Sequence, residues 1–103
     1  MKQEDEIQLL KELAGTLERQ IELVRHDDVA GLEGQVGNGG QLARKIAAAG
    51  LLDRPAYDGW RERLAGLYRK LQLMLSTRKD AVAGQLKAVN KGRKTLAMYR
   101  SSV

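Results

Sequence analysis

The chain has 103 residues and contains no cysteine, no phenylalanine, and only one proline, one histidine and one tryptophan. The absence of cysteine excludes disulfide bonds and thiolate metal sites, and it favours a reducing compartment. The acidic N-terminus, Met1 to Glu6, lacks the apolar core of a signal peptide. The longest apolar stretch, Ile46 to Leu52, is too short to span a bilayer. The sequence therefore predicts a soluble, cytoplasmic protein without membrane insertion.

Patterns of catalytic and metal-binding residues are also missing. His26 is the only histidine, and none of the three serines has a base at a recognisable spacing. The zinc-hydrolase, EF-hand and nucleophile-elbow motifs do not occur. The glycine-rich stretch 34–40 lacks the preceding strand and the following Gly-Lys-Ser/Thr that a phosphate loop requires. These absences predict that the protein is not an enzyme and uses no metal and no cofactor.

The charge is divided unevenly along the chain. Residues 1–53 carry 6 basic and 10 acidic side chains, whereas residues 54–103 carry 12 basic and 3 acidic ones, within a net charge of +5. One interpretation is that an acidic half packs on a basic half and leaves solvated outer faces. The other is that the residues after Asp80, which include no acidic side chain, form a basic arm for an acidic partner.

Apolar residues recur with helical spacing in the first half of the chain. The first stripe predicts a helix over about residues 3–26, and Asp27-Asp28 then supplies a break and an N-cap. A second stripe predicts an antiparallel helix over about residues 28–49, because the connection is so short. The members of the two stripes are Ile7, Leu10, Ala14, Leu17, Ile21 and Val24, then Val29, Leu32, Val36, Gly39, Ala43, Ile46 and Gly50.

Glycines weaken the second predicted helix. Five of them lie between residues 31 and 40, and each costs about 1 kcal/mol relative to alanine in a helix interior. The heptad phase continues across them, which favours one continuous helix. A turn at residues 37–40 is the alternative.

The third segment, about residues 54–101, contains only one proline, Pro55, at its start. As a single helix it would span roughly 70 Å, about twice the length of either earlier helix. The part after about Arg78 must then protrude, fold back as a fourth helix, or pair with another molecule. We therefore expect a single all-α domain, residues 1–103. Its architecture would be an antiparallel helical hairpin or three-helix bundle with a long C-terminal helix, or one broken into a fourth helix.

Two segments resemble the flagellar export chaperones of the FliT type and, more loosely, their FlgN-type relatives. The first segment runs from Arg25 to Glu33 and combines a short break, an acidic pair and a Leu-Glu pair. The second contains Val82, Gln85-Leu86, Val89, Asn90 to Lys94, Leu96 and Tyr99. The chain departs from the family at residues 34–40, where glycines replace a stretch rich in arginine and glutamate.

The resemblance implies a cytoplasmic type III secretion chaperone. Such a protein binds the C-terminal region of a filament-cap or hook-associated protein, prevents its premature assembly and delivers it to the export apparatus. Its C-terminal helix can pack over the substrate groove. By this resemblance, partner binding would use an apolar set and a basic rim: Val82, Leu86, Val89, Leu96 and Tyr99, with Lys91, Arg93 and Lys94.

Two other functions remain open from the residues alone. The basic residues between 78 and 100 suit a helical nucleic-acid-binding protein, although the chain contains no recognised nucleic-acid motif and its N-terminal half is acidic. A coiled-coil oligomer without a client would also use the heptad stripes, and a homodimer is compatible with any of these functions.

Overall fold

The computed structural model describes residues 2–78 and 83–101, with side chains in the last helix described for residues 84–97. The described residues form helices and turns without any β-strand, so the predicted all-α bundle is confirmed. The helices are α1 (Gln3–Arg25), α2 (Val29–Ala48), α3 (Asp58–Ser76) and α4 (Ala83–Ser101). Two short 3₁₀ turns, Leu51–Asp53 and Pro55–Tyr57, connect α2 to α3.

The four helices pack as a bundle in which each helix has two main neighbours. Helix α1 lies against α2 and α3, and α4 lies against the same two helices from the opposite side. The bundle measures 39 × 25 × 19 Å, as expected for helices of about 20 residues. Its core is mostly leucine, with Leu10, Leu13 and Leu17 of α1 fully buried. The two hairpins, α1–α2 and α3–α4, therefore bury one shared apolar core.

The third predicted segment is two helices rather than one. Helix α3 ends at Ser76, where the hydroxyls of Ser76 and Thr77 each donate a 2.8 Å hydrogen bond to a carbonyl of the last turn. Arg78 then donates 3.1 Å to the Val24 carbonyl and pairs at 2.9 Å with Asp27. The chain after this point folds back, because α4 packs on α2 and α3. Of the three alternatives for the part after about Arg78, folding back as a fourth helix is confirmed, and a single protruding helix is wrong.

The α1–α2 turn has two successive caps. Asp27 adopts the left-handed conformation, with φ 55°. The amides of Asp27 and Asp28 donate to the carbonyls of Val24 and Leu23, at 3.1 and 2.9 Å, which is a Schellman motif. The Asp28 carboxylate then accepts from the Gly31 amide at 2.9 Å and caps α2. The predicted N-cap is therefore present, and the acidic pair sets the antiparallel turn.

Helix α2 is continuous through all five glycines, as the heptad phase predicted. Two of the glycines are packed closely. A Cβ at Gly31 would lie 2.8 Å from the capping carboxylate of Asp28, and one at Gly39 would lie 2.9 Å from Nε2 of Gln20. Gly34 and Gly37, in contrast, face open space. Close packing thus favours glycine at Gly31 and Gly39. At Gly34 and Gly37 glycine lowers helix stability and no neighbouring atom requires it.

We expect Gly34→Ala and Gly37→Ala each to raise the free energy of unfolding by about 0.5–1 kcal/mol, because alanine restricts the unfolded chain and favours helix. Gly39→Ala is the matched control in the same helix. It should bring no gain, since the Gln20 amide would have to move from its hydrogen bond. Urea unfolding followed by circular dichroism measures all three. Equal gains at positions 37 and 39 would contradict the close packing at Gly39.

Candidate functional site

The residues predicted to contact a partner lie on different faces of α4. Val89 and Leu96 are buried in the core, with 3 % and 9 % exposure, and Leu86 is half-buried against it. Lys91 and Lys94 are exposed, and Arg93 is half-buried. Val82 and the side chain of Tyr99 lie outside the described residues. Leu86, Val89 and Leu96 therefore pack toward the core that α4 shares with α2 and α3, and a partner could reach Val89 and Leu96 only after α4 moves.

Apolar packing on α2 and α3, together with side-chain hydrogen bonds to Gln72, holds α4 in place. Gln72 of α3 donates 2.5 Å to Oδ1 of Asn90, and its own carbonyl oxygen accepts from Nη1 of Arg93. Within the part of the chain that the structure describes, no ion pair joins α4 to another helix. The neutral hydrogen bond to Asn90 contributes only about 1 kcal/mol, whereas the one from the charged Arg93 contributes about 1.5–3 kcal/mol.

Ion pairs instead join α1 to the second half of the chain. Three of them connect the two halves: Glu6 with Arg54 at 2.5 Å, Glu18 with Arg63 at 2.9 Å, and Asp27 with Arg78 at 2.9 Å. The acidic half thus packs on the basic half, which agrees with the first of the two interpretations of the charge pattern. The lysines of α4 take no part in this pairing among residues 2–78 and 84–97.

Tyr68 of α3 lies beneath the middle of α4. A Cβ at Gly92 would lie 3.4 Å from the Tyr68 hydroxyl oxygen and 3.9 Å from its ring. The side chain of Tyr68 is 3 % exposed, and this burial raises the pKa of its phenol above the ordinary value of 10.0. Position 92 of α4 therefore lies against Tyr68, at a distance where a Cβ would already be in van der Waals contact.

A polar layer crosses the bundle at the same level. Thr16 and Gln20 of α1 are each only 1 % exposed. Nε2 of Gln20 donates 2.9 Å to the Gln35 carbonyl, while its Oε1 has no hydrogen-bond partner among the described residues. Gln20, Gly39, Tyr68 and Gly92 line one small cavity of about 10 Å³. Such a layer lowers stability and restricts which packing arrangements are possible.

Sequence reasoning missed this layer, although a signal was present. Glu6, Leu13 and Gln20 share one heptad position, and all three are buried. Two polar side chains at a repeating position beside the apolar stripe are the pattern of a helix that is buried on more than one side.

A buried carboxylate anchors the other end of α1. Glu6 is 5 % exposed and accepts from Nη1 of Arg54 at 2.5 Å and from the Tyr57 hydroxyl at 3.0 Å. Burial, followed by the hydrogen bond and the negative charge of Glu6, raises the pKa of Tyr57. This cluster fixes the 3₁₀ connection between α2 and α3 to the start of α1.

Two general features of the described residues bear on function. None of their helices is both long enough and apolar enough to cross a bilayer. Their histidine and acidic side chains form no group of three that could hold a metal ion.

Comparison of the chain with models of protein families, with curated proteins and with solved structures finds no match.

Loss of the Glu6 carboxylate should destabilise the fold. We expect Glu6→Ala to lower the free energy of unfolding by about 1–3 kcal/mol, because it leaves Arg54 and the buried Tyr57 hydroxyl without their acceptor. The half-exposed position of Arg54 keeps the loss toward the lower end of this range. Glu4→Ala is the control, since Glu4 is exposed in the same first turn. Chemical denaturation that gave equal losses for both variants would show that only the helix dipole is involved.

Burial of Tyr68 makes stability depend on alkaline pH. Because its pKa is raised in the folded state, its stabilising contribution is complete below pH 10 and decreases above it. In the wild type, unfolding between about pH 10 and 11.5 releases up to one additional proton from Tyr68. We therefore expect the unfolding free energy of Tyr68→Phe to fall less steeply over this range, by up to about 1.4 kcal/mol per pH unit. Denaturation curves over this range provide the measurement. A Tyr68→Phe slope equal to that of the wild type would contradict the buried phenol.

Proposed function

We propose that the protein is a non-catalytic, cytoplasmic export chaperone of the FliT type. Its client would be the C-terminal region of a filament-cap or hook-associated protein, which it would keep unassembled and deliver to the type III export apparatus. The two resembling segments, residues 25–33 and 82–99, support the assignment to this class. The observation that carries the proposal is that α4 covers an apolar groove between α2 and α3, and that no ion pair among the described residues joins it to them.

The groove beneath α4 has the composition of a helix-binding surface. Leu64 and Tyr68 of α3 lie on one side of it and Val36 of α2 on the other, all buried. An amphipathic helix docks on such a surface through residues spaced three and four apart. A client helix would therefore use the same site as α4 and exchange with it.

The residues of α4 that face the groove, called here the apolar seam, indicate which client helices would fit. Val89, Gly92 and Leu96 face the groove with spacings of three and four. Since Gly92 lies directly over Tyr68, a client helix would need a small residue between two aliphatic ones. The requirement for a small central residue would separate clients from ordinary amphipathic helices.

Lys91 and Lys94 would have a different role from the apolar seam. Both are exposed on the outer side of α4, away from the core. They would remain accessible whether or not a client is bound, which suits contact with an acidic surface of the export apparatus.

Weakening the packing of α4 on α2 and α3 should strengthen client binding. The test measures, by isothermal titration calorimetry, binding of the C-terminal region of the filament-cap protein from the same genome. We expect Val89→Ser to bind about tenfold more tightly than the wild type, because a larger fraction of molecules has the groove open. Ala88→Ser, on the exposed side of the same helix, should match the wild type.

Circular dichroism first establishes that both variants remain helical, and a Gly92→Val variant, which crowds Tyr68, gives an independent way to weaken this packing. Equal affinities for the wild type, Val89→Ser and Gly92→Val would show that α4 does not cover the client site. An absence of binding in every variant would count against the chaperone assignment itself.

The exposed lysines support a second candidate function, nucleic-acid binding. Lys87, Lys91 and Lys94 follow one another at spacings of four and three on the outer side of α4. They pair with no carboxylate among the described residues. Phosphate contacts would make affinity fall steeply with salt. Titration of duplex DNA at about 50 and 200 mM salt distinguishes the two functions. Lack of binding at the lower salt concentration would exclude nucleic-acid binding.

A further inference from the structure

A cavity of about 180 Å³ lies where α3, α4 and the first 3₁₀ turn meet. It is distinct from the small polar cavity at the centre of the bundle, although Tyr68 borders both. Most of the side chains around it are apolar, and two are arginines. Its lining consists of Leu52, Arg61, Leu64, Ala65, Tyr68, Arg93, Leu96 and Ala97.

The floor of the cavity is apolar and closed. Leu64 is 1 % exposed, Tyr68 3 %, and Leu52 and Leu96 9 % each. These side chains belong to three different elements, which packing holds in place. An apolar group that enters would contact aliphatic and aromatic carbon on several sides, and burial would stabilise it by about 25 cal/mol for each Å² removed from water.

The two arginines at the cavity differ in their partners. Arg61 donates 2.5 Å to the Asp58 carboxylate and 3.1 Å to the Leu52 carbonyl, so its charge is neutralised and its position fixed. Arg93 donates only to the neutral amide of Gln72 and pairs with no carboxylate among the described residues. The cavity therefore has one uncompensated positive charge beside an apolar floor.

We propose that this cavity binds a small apolar carboxylate, with its hydrocarbon part against Leu64 and Tyr68 and its carboxylate on Arg93. A guanidinium is the side chain best suited to a carboxylate, because it donates two parallel hydrogen bonds. The cavity shares Leu64 and Tyr68 with the proposed client groove but forms with α4 in place, and the proposal does not depend on the chaperone assignment.

The volume of the cavity limits the ligand. An engineered protein cavity of about 150 Å³ accommodates benzene, so 180 Å³ admits a single ring or a branched aliphatic group. A fatty acid or a fused-ring acid would exceed it. Benzoate combines a ring of the right size with a carboxylate and is therefore the probe.

The test follows benzoate titration by two-dimensional amide NMR of the full chain. We expect saturable shifts at the amides of Ala65 and Leu96, and an affinity for neutral benzamide about tenfold lower. Arg93→Gln should reduce benzoate affinity about tenfold and leave benzamide unchanged. Lys94→Gln, which removes the next positive charge along α4, should have no effect on either probe.

A second variant tests the volume separately from the charge. Ala65→Leu places a larger side chain in the cavity and should abolish the shifts with both probes, while circular dichroism shows an intact bundle. Binding that is retained in Ala65→Leu would overturn the cavity assignment. Equal losses in Arg93→Gln and Lys94→Gln would reduce the effect to general surface charge, and the absence of saturable shifts in the wild type would exclude the site.

The same chemistry occurs in a free acid and at the end of a peptide chain. A tetrapeptide that ends in phenylalanine with a free carboxylate identifies the source. Tighter binding than benzoate would assign the cavity to a chain end, and weaker binding would assign it to a free small acid. Both outcomes support the site as a receptor for an apolar carboxylate.

Discussion

The close approach of the helices at the centre of the bundle determines the geometry around it. Gly39 allows α2 to lie near enough to α1 for Gln20 to reach the Gln35 carbonyl, and Gly92 allows α4 to lie directly on Tyr68. A Cβ at Gly39 would require Nε2 of Gln20 to shift, whereas one at Gly92 would be in van der Waals contact with Tyr68, because protein interiors are packed at crystal-like density. The hydrogen bond of Gln20 joins α1 to α2 at this level, and Val89 of α4 lines the same small cavity.

The charge pattern explains why α4 differs from the other helices. Two ion pairs join α1 to the connection before α3 and to α3 itself, and a third joins the α1–α2 turn to the segment that follows α3. Carboxylates of the acidic half are used in these pairs, and α4 contains no acidic residue of its own. Its lysines are therefore left on the surface, and its hold on the bundle depends on a short apolar seam and on amide contacts through Gln72.

Local signals were sufficient to predict most of the helices. The periodic apolar residues gave the first two helices to within about two residues, and Asp28 was recognised as a cap because its chemistry is local. The end of α3 was harder to predict. Residues 71–79 contain neither proline nor glycine, and the helix ends through hydroxyl contacts and through Arg78, which binds a turn 50 residues earlier in the sequence.

The candidate sites depend on contacts between distant residues, which periodicity does not reveal. Val89 and Leu96 were predicted as partner contacts from the resemblance to export chaperones, but the same apolar spacing equally describes a core-facing stripe. The contact between Gly92 and Tyr68 identifies the stripe as core-facing. These two residues are 24 positions apart in sequence and meet only when the chain folds back. The cavity at Arg93 likewise combines side chains from three elements, so no single sequence window contains it.

The two proposed sites share α4, and this has a thermodynamic consequence. The cavity is lined by Leu96 and Arg93 of α4 together with Leu64 of α3, whereas the proposed client groove would open only when α4 leaves. A ligand that binds only the closed arrangement stabilises it by mass action, and it must therefore weaken any partner that requires the open one. By reciprocity, a bound client would lower the affinity of the cavity for its carboxylate by the same factor. A helix held by a short seam over a groove, with a ligand site at its edge, thus has the elements needed to couple a small molecule to a protein partner.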